Sequence, residues 1–416
     1  MRIRTNARRY LIVGALALAA AGCAALSGRR TPPAVPAEFR PLYSELSGEL
    51  GTAEKEVSAL PGGGGCALSA PALFPASSYF TQYSAPGTPA WDGMLGMLDR
   101  LRALGAGGVS VMISFPDLTP EVRDPGPVLR FYEALAAEVR KRGMKLLVEQ
   151  FVYPPSTPAP ASRFVAGLKR QQDPERTFLD MKKRETELIL ARIRPDYLSV
   201  VTEPETNDRF LGFSIPPADY AAWLRDLLAD VSAAGIKGGT RIGAGSGIWE
   251  SPEYVDAFSK VKGLDYIDLH FYPLRLGTTD YTAALLAAMD RVKRADPAKG
   301  LVISEAWLYK HGAGEPGGVF DTEAYGRNAY GFWEPLDARF LSLLELIGRK
   351  EGVALITPYF PQYFFYSAGH DHAGRPAWPA CLPGEWKMAE AARPGEMTPL
   401  GLAYKKLRAG CSAGGR

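Results

Sequence analysis

The chain has 416 residues, 46% of them hydrophobic, 22% charged and 11% aromatic. That is a globular composition, long enough for one large α/β domain with extensions. A formal charge of +3, with no long Lys/Arg run in the body of the chain, gives no sign of a nucleic-acid partner.

The N-terminus carries an export signal. Arg2, Arg4, Arg8 and Arg9 precede an uncharged apolar run from Leu11 to Ala21. The run is shorter than the roughly 20 residues that a membrane span needs. It ends in Ala20-Ala21-Gly22-Cys23, which resembles a bacterial lipobox, and Cys23 would then be the lipidated residue. Residues 1–23 are accordingly expected to be a signal peptide, and the mature chain a lipid-anchored protein on the periplasmic or cell-surface side. An ordinary cleaved signal or an uncleaved anchor would export the chain equally. Residues 24–72 are rich in Ala, Gly and Pro, including Gly62-Gly63-Gly64-Gly65, and read as a flexible tether with a modest amphipathic helix over Leu42–Leu60. Cys66, Cys381 and Cys411 remain after Cys23; they allow at most one intramolecular disulfide, and the sequence does not choose it.

Residues 73–416 form the folded domain. An aromatic stretch over Leu73–Tyr83 is an ill-defined first strand. A helix over Trp91–Leu104 follows, then a strand over Val109–Phe115, a helix over Val128–Arg142 and a strand over Lys145–Tyr153. A long helix over Pro174–Arg194 leads to the β-branched strand Tyr197–Val201, stopped by Pro204. Pro217–Ala234 is helical, Arg241–Ala244 is a short strand before a Gly-rich loop, and Glu253–Val261 is a short helix. Strands over Tyr266–Tyr272, Leu301–Glu305 and Val353–Pro358 alternate with helices over Tyr281–Ala295, Leu336–Lys350 and Pro399–Leu407. About eight strand–helix units, with the long loops following the strands, predict a (β/α)8 TIM barrel with its site on the C-terminal face. The glycine-rich phosphate loop of an open doubly wound sheet is absent after the first strand.

Polar groups end several of these otherwise apolar strands: Glu149-Gln150 on the third, Thr202-Glu203 on the fourth, His270-Phe271-Tyr272 on the sixth and Ser304-Glu305 on the seventh. Cleavage of a glycosidic bond needs two carboxyl groups across one sugar, one giving a proton and the other attacking the anomeric carbon or activating water. Glu203 and Glu305 could face each other over a barrel mouth. Glu205, further from its strand tip, ranks below Glu203. Trp249, Tyr272, Trp307, Tyr309, Trp333 and Tyr359 are candidate platforms for sugar rings, although packing is the more common fate of any one aromatic.

These residues resemble the clan A glycoside hydrolases, (β/α)8-barrel enzymes that act with retention. Thr202-Glu203-Pro204 resembles the Asn-Glu-Pro at the end of that clan's fourth strand, which implies an acid/base role for Glu203. Ile303-Ser304-Glu305 resembles the seventh-strand ending, which implies a nucleophile at Glu305. Leu269-His270-Phe271-Tyr272-Pro273 is similar to the sixth-strand His-x-Tyr-x-Pro ending, which places His270 and Tyr272 beside both carboxylates. Thr202 stands where the clan has Asn, and no eighth-strand Trp is evident; Tyr359 or Tyr363 takes its place. The expectation is therefore a monomeric retaining glycosidase acting on an oligo- or polysaccharide, with no cofactor. Thr202, Glu149, Gln150, Trp249, Trp307 and Tyr359 would help His270 and Tyr272 to bind substrate. An inactive carbohydrate-binding or scaffold lipoprotein on the same barrel is the alternative, and a metal-assisted hydrolase a third. His370-Asp371-His372 reads as a solvated loop rather than a metal site.

Overall fold

The computed structural model describes residues 32–73, 86–152, 161–272, 274–276, 279–312, 315, 326–370, 388–393 and 395–413. Eight parallel strands alternate with helices in a (β/α)8 barrel: β1 Leu68–Ser69, β2 Gly108–Phe115, β3 Lys145–Val152, β4 Tyr197–Val201, β5 Arg241–Gly247, β6 Tyr266–Phe271, β7 Gly300–Ala306 and β8 Leu355–Pro358. From β2 to β8 each strand pairs with the next, and β1 pairs with β8 through Leu68 opposite Leu355. A parallel bridge from Ala72 to Ser110 brings the chain after β1 against β2 and closes the ring.

Strands covered by helices outside and by side chains inside are buried on both faces, hence continuous runs such as Val109–Phe115. Helix boundaries follow ordinary capping. Thr88 accepts a hydrogen bond from the Trp91 amide at 3.3 Å and Asp173 one from the Arg176 amide at 3.1 Å, each with Pro at the first helical position.

The glycine run after Ala244 is strand, not loop: β5 extends to Gly247. The reason lies in the neighbouring strand. A Cβ on Gly243 would lie 2.1 Å from the Tyr266 ring, and one on Gly245 would lie 1.5 Å from the Asp268 carbonyl oxygen. Gly243 makes room for the Tyr266 ring and Gly245 for the close approach of the β6 backbone, which strand propensity does not register.

The tether expectation fails for its described part. Arg40–Ala59 is a helix whose stripe Leu42, Leu46, Leu50, Ala53 and Val57 is buried against the helix Glu334–Glu351. Burying each Leu or Val of that stripe contributes roughly 1.5–3 kcal/mol. The Arg339 guanidinium binds both oxygens of Glu54, at 3.1 and 2.9 Å, and donates to Ser47 Oγ at 2.9 Å. Composition suggested a linker, but the i, i+4 spacing of those apolar residues decided the outcome. The first strand likewise lies at Leu68–Ser69, earlier than the aromatic stretch; residues 74–85 fall outside the described part.

A disulfide joins Cys66 to Cys411, 345 positions apart. It ties the approach to β1 to the last helix, Pro399–Ala413, where Ser69 Oγ also lies 2.7 Å from Tyr404 OH. Cross-links of long loops stabilise by about 2–5 kcal/mol. Paired Cys66→Ser and Cys411→Ser substitutions are expected to lower the unfolding temperature, with little further change on adding reductant. An unchanged melting curve would mean that the bond carries no load. Cys23 and Cys381 lie outside the described residues.

Candidate active site

Alternation along the strands builds the barrel interior in layers. The lowest is apolar: Ala70, Leu147, Tyr266, Val302 and Leu355. The next is polar: Ser110, Glu149, Ser199, Asp268 and Ser304, all buried. Glu203, His270 and Glu305 stand above it at the C-terminal ends of β4, β6 and β7.

Glu203 sits between β4 and the helix Pro204–Leu211 with φ 44° and ψ 63°. A residue before proline is expected to be extended; this one is left-handed, a state that costs a non-glycine residue about 1–3 kcal/mol. Neighbouring bonds hold it there. Asn207 donates its backbone amide to the Glu203 carbonyl at 2.9 Å and its side-chain amide to the Thr202 carbonyl at 2.6 Å. The Asn207 side-chain oxygen accepts from the Val152 amide at 3.2 Å, which fixes the turn to β3.

His270 joins the two carboxylates. Its Nδ1 is 2.8 Å from Glu203 Oε1 and 3.6 Å from Glu305 Oε2, and Tyr272 OH donates to Glu305 Oε2 at 2.9 Å. One oxygen of each glutamate and one His270 nitrogen lie within 4.8 Å of one another. Below, His270 Nε2 is 2.9 Å from Ser304 Oγ and 3.5 Å from Glu149 Oε2. Ser304 Oγ lies 2.7 Å from Asp268 Oδ2 and 3.0 Å from Glu149 Oε2. Asp268 also accepts from the Ser304 amide at 3.1 Å and from Ser199 Oγ at 2.5 Å, and Glu149 accepts from Ser110 Oγ at 2.5 Å.

Burial works against every charge in this cluster, and the charges compensate one another. It pulls the imidazole of His270 down, but Glu305, Glu149 and Glu203 together hold it well above its ordinary value. It pushes Glu305 well above the usual carboxylate range, with Glu149 and Glu203 adding to the rise; the imidazolium and the Tyr272 hydroxyl pull the other way. Asp268 is raised by burial to about 6, with His270 and the two serine hydroxyls limiting the rise. Glu250, which accepts from the Thr206 and Gly247 amides at 3.0 and 2.9 Å, is raised by burial and by the nearby charge of Glu203 to about 8.

Those shifts bear on stability. Burial also raises Glu334 and Asp208 to about 7. The folded protein binds these protons more tightly than the unfolded chain does, so their contribution is full below pH 4 and is lost as pH rises towards 8. Denaturant midpoints are expected to fall between pH 5 and 8, and more weakly in Glu250→Gln; a Glu250→Gln curve parallel to wild type would remove Glu250 as a contributor.

Several expected site residues are placed differently. Gln150 is the outward neighbour of Glu149 on β3, and its side-chain oxygen accepts from Thr186 Oγ1 at 2.7 Å on the helix Pro174–Leu188. It faces away from the mouth, because successive strand residues point to opposite faces. Glu149 points inward but lies in the layer beneath His270. Thr202 is buried and donates to the Gln150 carbonyl at 3.3 Å. Trp307 is packed against Phe360 and Tyr363 with Lys310 Nζ over its ring, so its faces are already covered. Trp333 is buried and stacked on Tyr43 at 5.8 Å, and Tyr309 is buried beside His311. Trp249 and Tyr359 are half-buried and contact Tyr272, at ring distances of 5.9 and 5.7 Å, so the aromatic wall lies on the Glu305 side. His370 is partly exposed, 4.0 Å from Glu38; Asp371, His372 and Pro273 lie outside the described residues.

The inward set Ser199, Asp268 and Ser304 had a signal in the sequence. In Tyr266-Ile267-Asp268-Leu269-His270, alternation puts the tyrosine, the aspartate and the histidine on one face. A carboxylate in mid-strand on the face that carries the histidine marks a polar interior.

No protein-family model and no curated protein matches the chain. Solved structures do. GH5_18 from Bifidobacterium longum subsp. longum aligns with a TM-score of 0.55 at 13% identity, over 83% of this chain and 79% of that one. A variant of it in complex with Manb1-4GlcNAc aligns with a TM-score of 0.52 at 13% identity, over 83% and 78%. The chain shares its fold with clan A glycoside hydrolases. At this identity the likeness concerns the fold; the site rests on its own geometry.

Proposed function

We propose that the protein is an exported, lipid-anchored glycoside hydrolase that cleaves O-glycosidic bonds with retention. The observation that carries this reading is the approach of Glu203 and Glu305 from the ends of β4 and β7, within 4.8 Å of each other through their nearest ligand atoms and across His270. Retaining enzymes hold their two carboxyl groups about 5–5.5 Å apart, inverting ones about 6.5–9.5 Å, with room for a water. An approach of oxygens within 4.8 Å supports the retaining spacing.

Glu203 is the acid/base. Its hydrogen bond to His270 places a transferable proton at its carboxylate, and the strained left-handed backbone fixes where that proton points. Glu305 is the nucleophile, oriented by the Tyr272 hydroxyl and ionised with the help of the His270 charge. In the first step Glu305 bonds to the anomeric carbon as the leaving oxygen takes the proton from Glu203. In the second, water gives its proton to Glu203 as its oxygen displaces Glu305. Trp249 and Tyr359 offer apolar surface for a sugar ring next to Glu305. The reading requires no cofactor. Export and anchoring at Cys23 rest on the sequence of the first 23 residues.

A panel of aryl β-glycosides and polysaccharides tests the reading, with the anomeric configuration of the first-formed product followed by NMR. Retained configuration is expected, and an inverted product would overturn the assignment of roles. Turnover of no glycan, with binding preserved in Glu203→Gln, would favour a binding protein. The Glu203–His270–Glu305 set could also hold a divalent cation. Loss of activity on chelation and its return with metal would favour that chemistry instead.

A further inference from the structure

Ser304 Oγ has three polar neighbours and one proton. Two neighbours are carboxylate oxygens, on Asp268 and Glu149; the third is His270 Nε2. The Asp268 contact is the shorter, 2.7 against 3.0 Å, and Asp268 is braced by the Ser304 amide and Ser199. With the serine proton on Asp268, a serine lone pair is left towards Nε2. A ring nitrogen 2.9 Å from a lone pair must carry a proton. The other nitrogen, Nδ1, then faces Glu203 Oε1 with one proton between the two atoms.

We propose that Asp268, acting through Ser304, is a positioning residue that fixes a proton on His270 Nε2, so that the His270–Glu203 bond holds the one transferable proton of the site. Neither residue touches a reacting atom. The proton shuttles between Nδ1 and Oε1. When it leaves with the departing group, the neutral ring and the Glu203 carboxylate face each other as two acceptors. The proton of the second-step water restores the bond and ends that repulsion. Around His270 the ionisable groups are Glu203 from β4, Glu305 and its partner Tyr272, Glu149 from β3 and Asp268 on its own strand; Glu250 faces Glu203 from beyond. The part concerning catalysis rests on the proposed hydrolase reading, whereas the proton placement does not.

The test reads both separately. Nitrogen-15 NMR of labelled histidine in the full-length protein, with His270 assigned by substitution of the other three histidines, reports the state of each ring nitrogen. In wild type, Nε2 should remain protonated from pH 5 to 9 while Nδ1 alone changes. A neutral ring protonated on Nδ1 in wild type would overturn the proposal without any variant. In Asp268→Asn the Ser304 amide holds the carboxamide oxygen, so the NH2 group faces Ser304 Oγ and donates to it. The serine proton then turns to Nε2, and the neutral ring should switch to the Nδ1–H form. Glu149→Gln should leave Nε2 protonated. An Asp268→Asn ring with wild-type signals would overturn the assignment to Asp268.

With the best glycoside of the panel, Asp268→Asn should slow phenyl glycosides about 100-fold, the low end of what a general acid supplies. In kcat/KM, which reads the first step alone, it should change 2,4-dinitrophenyl glycosides, which need no acid, less than about threefold. Equal losses on both would show a merely structural role. A wild type that turns over no glycoside but shows the expected nitrogen pattern would sink the hydrolase reading and leave the proton placement standing.

Discussion

Glu305→Ala is expected to lose at least about 10⁴-fold in kcat/KM on every glycoside the wild type cleaves, the scale on which loss of a covalent nucleophile is felt. That is about 5.4 kcal/mol of transition-state stabilisation. The methyl group leaves a space where the carboxylate was, next to the Tyr272 hydroxyl that donated to it. Azide is small enough to enter that space and attack the same carbon, so it should restore turnover of activated substrates and give a glycosyl azide of inverted configuration. Retained activity in Glu305→Ala, or rescue without inversion, would remove Glu305 from the role. The wild-type pH profile offers a second check. Burial and two neighbouring carboxylates raise Glu305, so the acid limb of kcat/KM should lie above the usual carboxylate range, whatever the substrate.

The second large effect is expected for Glu203→Gln. The amide keeps the shape of the carboxylate but cannot pass a proton. Phenyl and alkyl glycosides should slow by about 10²–10⁴-fold, while 2,4-dinitrophenyl glycosides still form the covalent intermediate at close to the wild-type rate. With such substrates the second step becomes limiting, because water has lost its base, and a burst of dinitrophenol should precede a slow steady state. Uniform loss on both substrate types would mean that Glu203 serves geometry rather than proton transfer. Glu205 would then be no better candidate, since its Oε1 is engaged by the Ser251 amide at 3.0 Å.

The barrel is legible because its strands are buried on both faces and because several helices open on a capping residue or a proline, both of which leave local traces. Where the reading slipped, the deciding interaction was distant in sequence. Gly245 looks like a loop residue until the β6 backbone at Asp268 is placed against it. Residues 40–59 look like linker until the helix Glu334–Glu351 offers them a surface. At the site, His270 and Tyr272 fall beside Glu203 and Glu305 as the strand-end pattern suggests. Gln150 follows Glu149 on one strand, and alternation puts the two on opposite faces, so they do not both line the interior. The left-handed backbone of Glu203 was beyond reach, because it depends on Asn207 and β3 acting together.

The pairing of the two chain ends has a consequence for biogenesis. β1 has only two residues, and it is held by β8 on one side, by the bridge to β2 on the other, and by Tyr404, Arg408 and Cys411 from the last helix. The first strand of the barrel therefore has few partners until the helix Pro399–Ala413 has been made. A chain emerging N-terminus first cannot close its ring early. Closure waits for the helix Pro399–Ala413, and under the proposed export it would come where an oxidising environment can seal the Cys66–Cys411 bond.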